Sequence, residues 1–269
     1  MTQFKRSNGR SYNEMRPLKV MFDTFGYASG STLLEIGNTK VLCSVTMQNT
    51  VPPFLKGKKS GWLTAEYAML PTATKQRTQR SSTAMKEQGR SVEISRLISR
   101  VLRAVVDLDS LGERSIMVDC DVLQADGGTR AASITGACIA LEQAQQRWLR
   151  SGMIEKPFLK DMVAAISVGV MKGEPLLDLN FDEDSMIDGD FNFVLTKSGD
   201  IVEIQGTAEH TLIPWAQFDE LKKLAINAIA DIFTLVGQPS EPKEKKSLKA
   251  PLFSLQNRLQ KSSVTDESH

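Results

Sequence analysis

The sequence predicts a layered domain with mixed sheets, α+β or α/β, on three observations. Short β-rich runs joined by tight-turn residue pairs gather in two clusters, and segments of helical period separate and follow them. The composition, 41% hydrophobic and 24% charged over 269 residues, is that of a globular chain able to bury a real core. Alternation of strand clusters with helices then points to sheets and helices stacked in layers.

In chain order, Ser31 to Met47 holds two β-rich runs around Gly37-Asn38, a pair suited to the positive backbone angles of a hairpin turn. GWLTAEYAMLP reads as a further strand, ended by Pro71. Thr72 to Arg90 follows, nearly free of aliphatic residues, with Lys75, Arg77, Arg80, Lys86 and Arg90 against Glu87; it predicts a mobile, positively charged surface loop. From Ser91, Ile94, Leu97, Ile98, Val101, Leu102, Val105 and Val106 recur at helical spacing. RSIMVDCDVLQ alternates as a strand does, and LQADGGTRAASITGA then opens a helix running to about Leu149. MVAAISVGVMKGEPLLDLNF predicts two strands joined at Lys172-Gly173, and FNFVLTKSGDIVEIQGTA a hairpin turning at Lys197 to Asp200. Gln217 to Val236 is again helical by period. Residues 1–237 are therefore expected to form a single domain and 238–269, rich in Lys, Ser and Pro, a disordered tail.

Bulk charge gives little guidance, since 33 Lys+Arg face 32 Asp+Glu and the net charge is +1. Any electrostatic function must come from local clusters. Cys43, Cys120 and Cys138 are widely spaced thiols with apolar neighbours, and with only two histidines a zinc site is not indicated. They are expected to be core residues in a reducing compartment. With a polar N-terminus and no apolar run of membrane-spanning length, the expected location is cytoplasmic.

Three stretches could carry chemistry. Gly127-Gly128-Thr129-Arg130 places flexible backbone and a guanidinium at a helix N-terminus, a combination suited to an anion. The plainer reading is a strand-to-helix turn with Thr129 as N-cap. A cation in the first turn opposes the helix dipole by a few tenths to ~1 kcal/mol, which a bound anion would reverse. The second stretch, LLDLNFDEDSMIDGDFNF, holds Asp178, Asp182, Glu183, Asp184, Asp188 and Asp190. These must be exposed or share a cation, and carboxylates suit Mg²⁺ or Mn²⁺. Third, the basic loop with Arg77, Arg80 and Arg90 could track a phosphate backbone. His210 is expected to be an ordinary surface residue.

These motifs, together with RSNGRSYNEMRPL, EIGNTKVLCSV, EISRLISRVLRAVVDL, VDCDVLQADGGTRAASITGAC, DLNFDEDS and IVEIQGTAE, resemble the bacterial ribonuclease PH family over about Arg6 to Glu209. The resemblance implies an α+β fold of β-α-β-α layers with mixed sheets and packed helices, shared with polynucleotide phosphorylase and the exosome core. It implies a phosphate-dependent 3′-to-5′ exoribonuclease that trims transfer RNA precursors, releases nucleoside diphosphates and can add nucleotides in reverse. It further implies a homo-hexameric ring, a trimer of dimers. By the same resemblance Arg90, Gly128, Thr129 and Arg130 bind inorganic phosphate, the co-substrate, and Asp184 and Asp190 hold Mg²⁺ or Mn²⁺, with Asp178 a weaker candidate. Arg90, Arg130, Asp184 and Asp190 are then the catalytic set, and Arg77 and Arg80 contact RNA. The chain departs from the family pattern at Thr72, where arginine is usual, and at Lys86 to Arg90, where KEQGR has a glutamate and one glycine in place of the usual Lys-Gln-Gly-Gly-Arg.

Overall fold

The computed structural model describes Arg6, residues 8–80 and residues 89–237. The expected disordered tail and the departure at Lys86 to Gln88 lie outside the described residues. Four layers stack in the order sheet, helix pair, sheet, helix, the β-α-β-α arrangement that the resemblance implies.

The first sheet contains β1 (Leu18–Phe22), β2 (Gly30–Ile36), β3 (Thr39–Gln48), β4 (Trp62–Met69) and β5 (Ser115–Gln124), in spatial order β1-β2-β3-β5-β4. Every neighbouring pair is antiparallel except β4 and β5, which are parallel because α1 (Gly89–Val105) crosses between them. β4 is an edge strand, and its outward amides at Ala65 and Tyr67 donate to the Ser99 and Ser95 hydroxyls of α1, at 2.8 and 2.9 Å. Two serines one turn apart thus close an edge that would otherwise offer itself to another strand.

The second sheet contains β6 (Val163–Met171), β7 (Glu174–Leu177), β8 (Gly189–Thr196) and β9 (Ile201–Ala208), antiparallel throughout in the order β7-β6-β8-β9. Lys172 and Gly173 turn between β6 and β7 with φ of 52° and 81°, as a two-residue hairpin requires. β6 is buried at all nine positions. Its Val163 and Ala165 face the first core while Ala164, Ile166, Val168 and Val170 face the second, so its near-continuous apolar sequence follows from packing on both sides.

α2 (Thr129–Arg150) lies between the sheets, against β2 and β3 on one side and β6 on the other. Apart from Arg130 its first three turns are buried all round, and small residues there let both sheets approach. The tightest approach is at Gly30, where a Cβ would overlap the Ala140 carbonyl oxygen and stand 2.7 Å from the Ala144 nitrogen. Gly30→Ala is therefore expected to destabilise the chain by about 1–3 kcal/mol, as overpacking does, lowering the melting temperature by several degrees in calorimetry. α4 (Trp215–Val236) covers the outer face of the second sheet, its Leu221, Ala225, Ala228, Ile229 and Ile232 buried there. The three cysteines are buried free thiols, as expected, and burial pushes Cys138 up to about 12.

Candidate active site

The glycine turn is the first wall of the site. Gly127 and Gly128 both adopt positive φ, 79° and 67°, and Gly128 is the N-cap of α2 with no side-chain hydrogen bond closing the helix. Thr129 is thus not the cap; it is the first helical residue, buried, with its hydroxyl 3.0 Å from the Tyr67 hydroxyl. The first-turn amides of α2 keep no side-chain acceptor, which is the arrangement an anion can use. Arg130 stands beside them, paired through Nη2 to Glu93 at 2.9 Å and through Nη1 to the Gln205 side-chain oxygen. Glu93 thereby offsets the unfavourable cation in the first turn. Its side chain is 45% exposed, so the pair is a surface one, worth ~0.2–1 kcal/mol and within reach of displacement by a phosphate.

Arg90 was expected in the basic loop before a helix at Ser91. The structure instead describes Arg90 as helical, within α1 (Gly89–Val105). Arg90 of α1 and Arg130 in the first turn of α2 therefore serve the same region, both acting on the Tyr67 hydroxyl and on the Asp184 carboxyl. Arg77 and Arg80 sit on the exposed loop of residues 72–80, whose start is fastened by Ala73, buried and accepting from the Ala125 amide at 2.8 Å.

The acidic stretch is sorted by its partners. A four-residue helix, α3 (Phe181–Asp184), interrupts what the sequence reads as a loop, and a capping box between Asn180 and Glu183 fixes its first turn. Asp182 pairs with Lys75 at 2.7 Å on the surface. Asp188 accepts from the Lys172 amide at 2.6 Å. Glu183 and Asp178 are buried under arginines: Arg6 grips Glu183 through two 2.7 Å bonds, while Arg16 grips Asp178 at 2.6 and 2.8 Å and Arg10 reaches both. Both oxygens of Asp178, the weaker metal candidate, are bonded to guanidinium groups.

Asp184 and Asp190 remain, and among the described residues neither forms an ion pair. With Ser185, Ile187, Glu209 and His210 they line an open cavity of about 300 Å³. Burial raises the Asp184 carboxyl above the ordinary aspartate range, Arg90 pulls it back, and Glu209 raises it further. Burial also raises Asp190, helped by the charges of Asp184 and Glu209. Half-buried carboxylates that repel one another form a donor set that fits a hard divalent cation. Among the described residues no three acidic, histidine or cysteine side chains already converge as a finished ligand set. A cation here would therefore rest on one or two carboxylates, its other ligands coming from phosphate oxygens and water, a mode common for Mg²⁺.

Sequence reasoning missed Glu209 and Tyr67 and placed His210 on the general surface. Only the fold shows Glu209: the β8–β9 register, irregular between Val194 and Leu195, sets Asp190 opposite Thr207, so the residue two places beyond Thr207 emerges at the same end of the sheet.

Comparison with known proteins gives consistent matches. Residues 14–146 match the family described as 3′ exoribonuclease family, domain 1, and residues 161–228 match its domain 2. The chain is 50% identical over 231 residues to a protein named ribonuclease PH from Syntrophomonas wolfei, covering 86% of this chain and 97% of that protein. Among solved structures it is similar to the Archaeoglobus fulgidus exosome with RNA bound to the active site, at 24% identity and TM-score 0.72 over 86% of this chain and 92% of that one. It is similar also to rice Rrp46, at 19% identity and TM-score 0.69 over 86% and 98% of the two chains. The last two likenesses establish the fold. Among the described residues, no helix is long and apolar enough to cross a membrane.

Proposed function

Because this chain belongs to the 3′ exoribonuclease family, we propose that it shortens RNA from the 3′ end by phosphorolysis, with transfer RNA precursors as the substrate class. The observation that carries this reading is the meeting of opposite charges: Arg90 in α1 and Arg130 in the first turn of α2 act on Asp184 at the end of α3, Arg130 acts also on Asp190 in β8, and among the described residues neither aspartate forms an ion pair.

Phosphorolysis brings an anionic nucleophile to an anionic diester, so the site must first suppress their repulsion. The amides of the α2 N-terminus, with Thr129, Arg130 and Arg90, hold inorganic phosphate. Phosphate near neutral pH already carries ionised oxygens, so no side chain has to remove a proton to make the nucleophile. One phosphate oxygen bonds to the terminal phosphorus, the bond to the penultimate 3′ oxygen breaks, and a nucleoside diphosphate leaves. Mg²⁺ or Mn²⁺ held by Asp184 and Asp190 would neutralise the scissile phosphate and the leaving oxygen. Arg77 and Arg80 contact the RNA body away from the reacting atoms. In this reading the protein works in the cytoplasm as a homo-hexameric trimer of dimers, a state that sedimentation analysis reads directly.

The test is incubation of the protein with a 3′-extended RNA and Mg²⁺, with and without inorganic phosphate. Nucleoside diphosphates formed only with phosphate are the expected products. Monophosphates would instead indicate a metal-dependent hydrolase, and RNA binding without turnover a non-catalytic ring subunit. Arg77→Ala combined with Arg80→Ala is expected to weaken binding of long RNA and flatten its salt dependence, while turnover of short oligonucleotides is kept. Equal losses on both lengths would count against that division.

A further inference from the structure

We propose that Arg16 and Asp178 form a buried clamp that sets the position of the phosphate-binding turn relative to the helix carrying Asp184; this rests on the phosphorolytic reading above. Arg16 is bonded to both parts. Its backbone amide and Nε donate to Asp178 Oδ2, each at 2.8 Å, and Nη2 donates to Oδ1 at 2.6 Å. The far side of the same guanidinium holds the glycine turn: Nη1 donates to the Asp126 carbonyl and Nη2 to the Gly127 carbonyl at 3.4 Å. From Asp178 the chain runs through Leu179 and Asn180, the N-cap of α3, to Asp184 at the end of that helix.

The two parts are also in direct contact. A Cβ on Gly127 would lie 2.6 Å from the Asn180 carbonyl carbon, so only glycine lets the turn rest on the segment that starts α3. The Phe181 amide reaches back to Asp126 Oδ1 at 3.4 Å. Asp178 itself holds φ of 53°, a conformation that Asp and Asn tolerate better than other side chains. Arg6 and Arg10 extend the network by donating to the Asp178 carbonyl and to Glu183.

Stability is a poor explanation for this arrangement. Both partners of the Arg16–Asp178 pair are nearly inaccessible, 6% and 2% exposed, and at such depth the desolvation of two charges consumes much of their attraction. What a forked, fully bonded pair supplies is fixed geometry. Arginine can bond two backbone carbonyls of the turn and two carboxylate oxygens at once, which lysine cannot. Arg16 and Asp178 are positioning residues on this account, with no contact to the reacting atoms.

Asp178→Asn keeps the size and backbone tolerance of the side chain and removes its charge. It is expected to raise the KM for inorganic phosphate about tenfold or more, because small misplacements of a reacting group carry large rate costs. The dissociation constant for RNA without phosphate should stay unchanged, and the melting-temperature shift produced by inorganic phosphate should shrink. Arg16→Lys, which keeps the buried charge and loses the fork, is expected to act in the same direction and carries the test if Asp178→Asn does not fold. Phe193→Leu, which loosens the second core, is the control: it lowers the melting temperature and leaves the phosphate KM alone. A clamp variant with a lowered melting temperature but the wild-type phosphate KM overturns the proposal. Absence of phosphate-dependent turnover in the wild type overturns the functional reading itself, and shows before any variant is made.

Discussion

Arg130→Ala is expected to lower kcat/KM for phosphorolysis about 10²–10³-fold, the loss of roughly 2.7–4 kcal/mol that follows removal of one aimed charge-stabilising donor. The loss should fall mainly on the dependence of rate on phosphate, measured as initial rates over a phosphate series at saturating RNA. Stability should barely move. In the free protein Arg130 contributes only a partly exposed pair with Glu93 and a bond to Gln205, and such pairs are worth at most ~1 kcal/mol. The uncapped N-terminus of α2 sharpens the expectation, since Gly128 supplies no side-chain acceptor and the turn keeps its amides for a ligand. A variant that loses RNA binding yet keeps its phosphate KM would place Arg130 in the RNA path instead.

How much of this was legible beforehand depends on how local each signal is. Gly37-Asn38 and Lys172-Gly173 marked their hairpins because the turn itself requires positive φ, at Gly37 alone in the first and at both residues in the second. β1 was not anticipated: LKVMF has no turn pair at hand and is half exposed, and only its pairing with β2 makes it a strand. Gly89 and Arg90 belong to α1 although the apolar period shows it only from Ser91, because both are exposed and carry no hydrophobic signal. In the site, residue type and spacing marked only the glycine turn, the basic loop and the acidic stretch; the choice of Arg90, Arg130, Asp184 and Asp190 within them came from the resemblance. Nothing in residue type or spacing shows that Asp178 is bonded to Arg16, 162 residues away, since only the fold unites them. Tyr67 was invisible for the same reason, reaching Thr129 across 62 residues.

Asp190→Asn should separate function from stability. Turnover is expected to fall about 10²–10³-fold, comparable to the loss of an aimed electrostatic group, and Mg²⁺ should cease to raise the melting temperature. The metal-free variant should nevertheless melt slightly higher than the metal-free wild type. In the folded chain the Asp190 carboxyl is held above its ordinary value by burial and by Asp184 and Glu209, so its ionised form opposes folding. The sign follows: this destabilisation is fully present above the raised folded value. It fades as pH falls through that value and is gone below the unfolded one, near ~3.9. Because the group is only half buried, solvent screening limits the gain from Asn to about 1 kcal/mol, or ~2–4 °C for a domain of this size. In the wild type a bound divalent cation would replace the missing counter-charge, adding ~2.7 kcal/mol at a hundredfold excess over its dissociation constant. Protons compete for the same oxygens, so the Mg²⁺-induced shift should shrink as pH falls through the raised carboxyl range. Melting curves with and without Mg²⁺ across that range read both effects, and a Mg²⁺ shift that is the same in the wild type and in Asp190→Asn would remove Asp190 from the metal site.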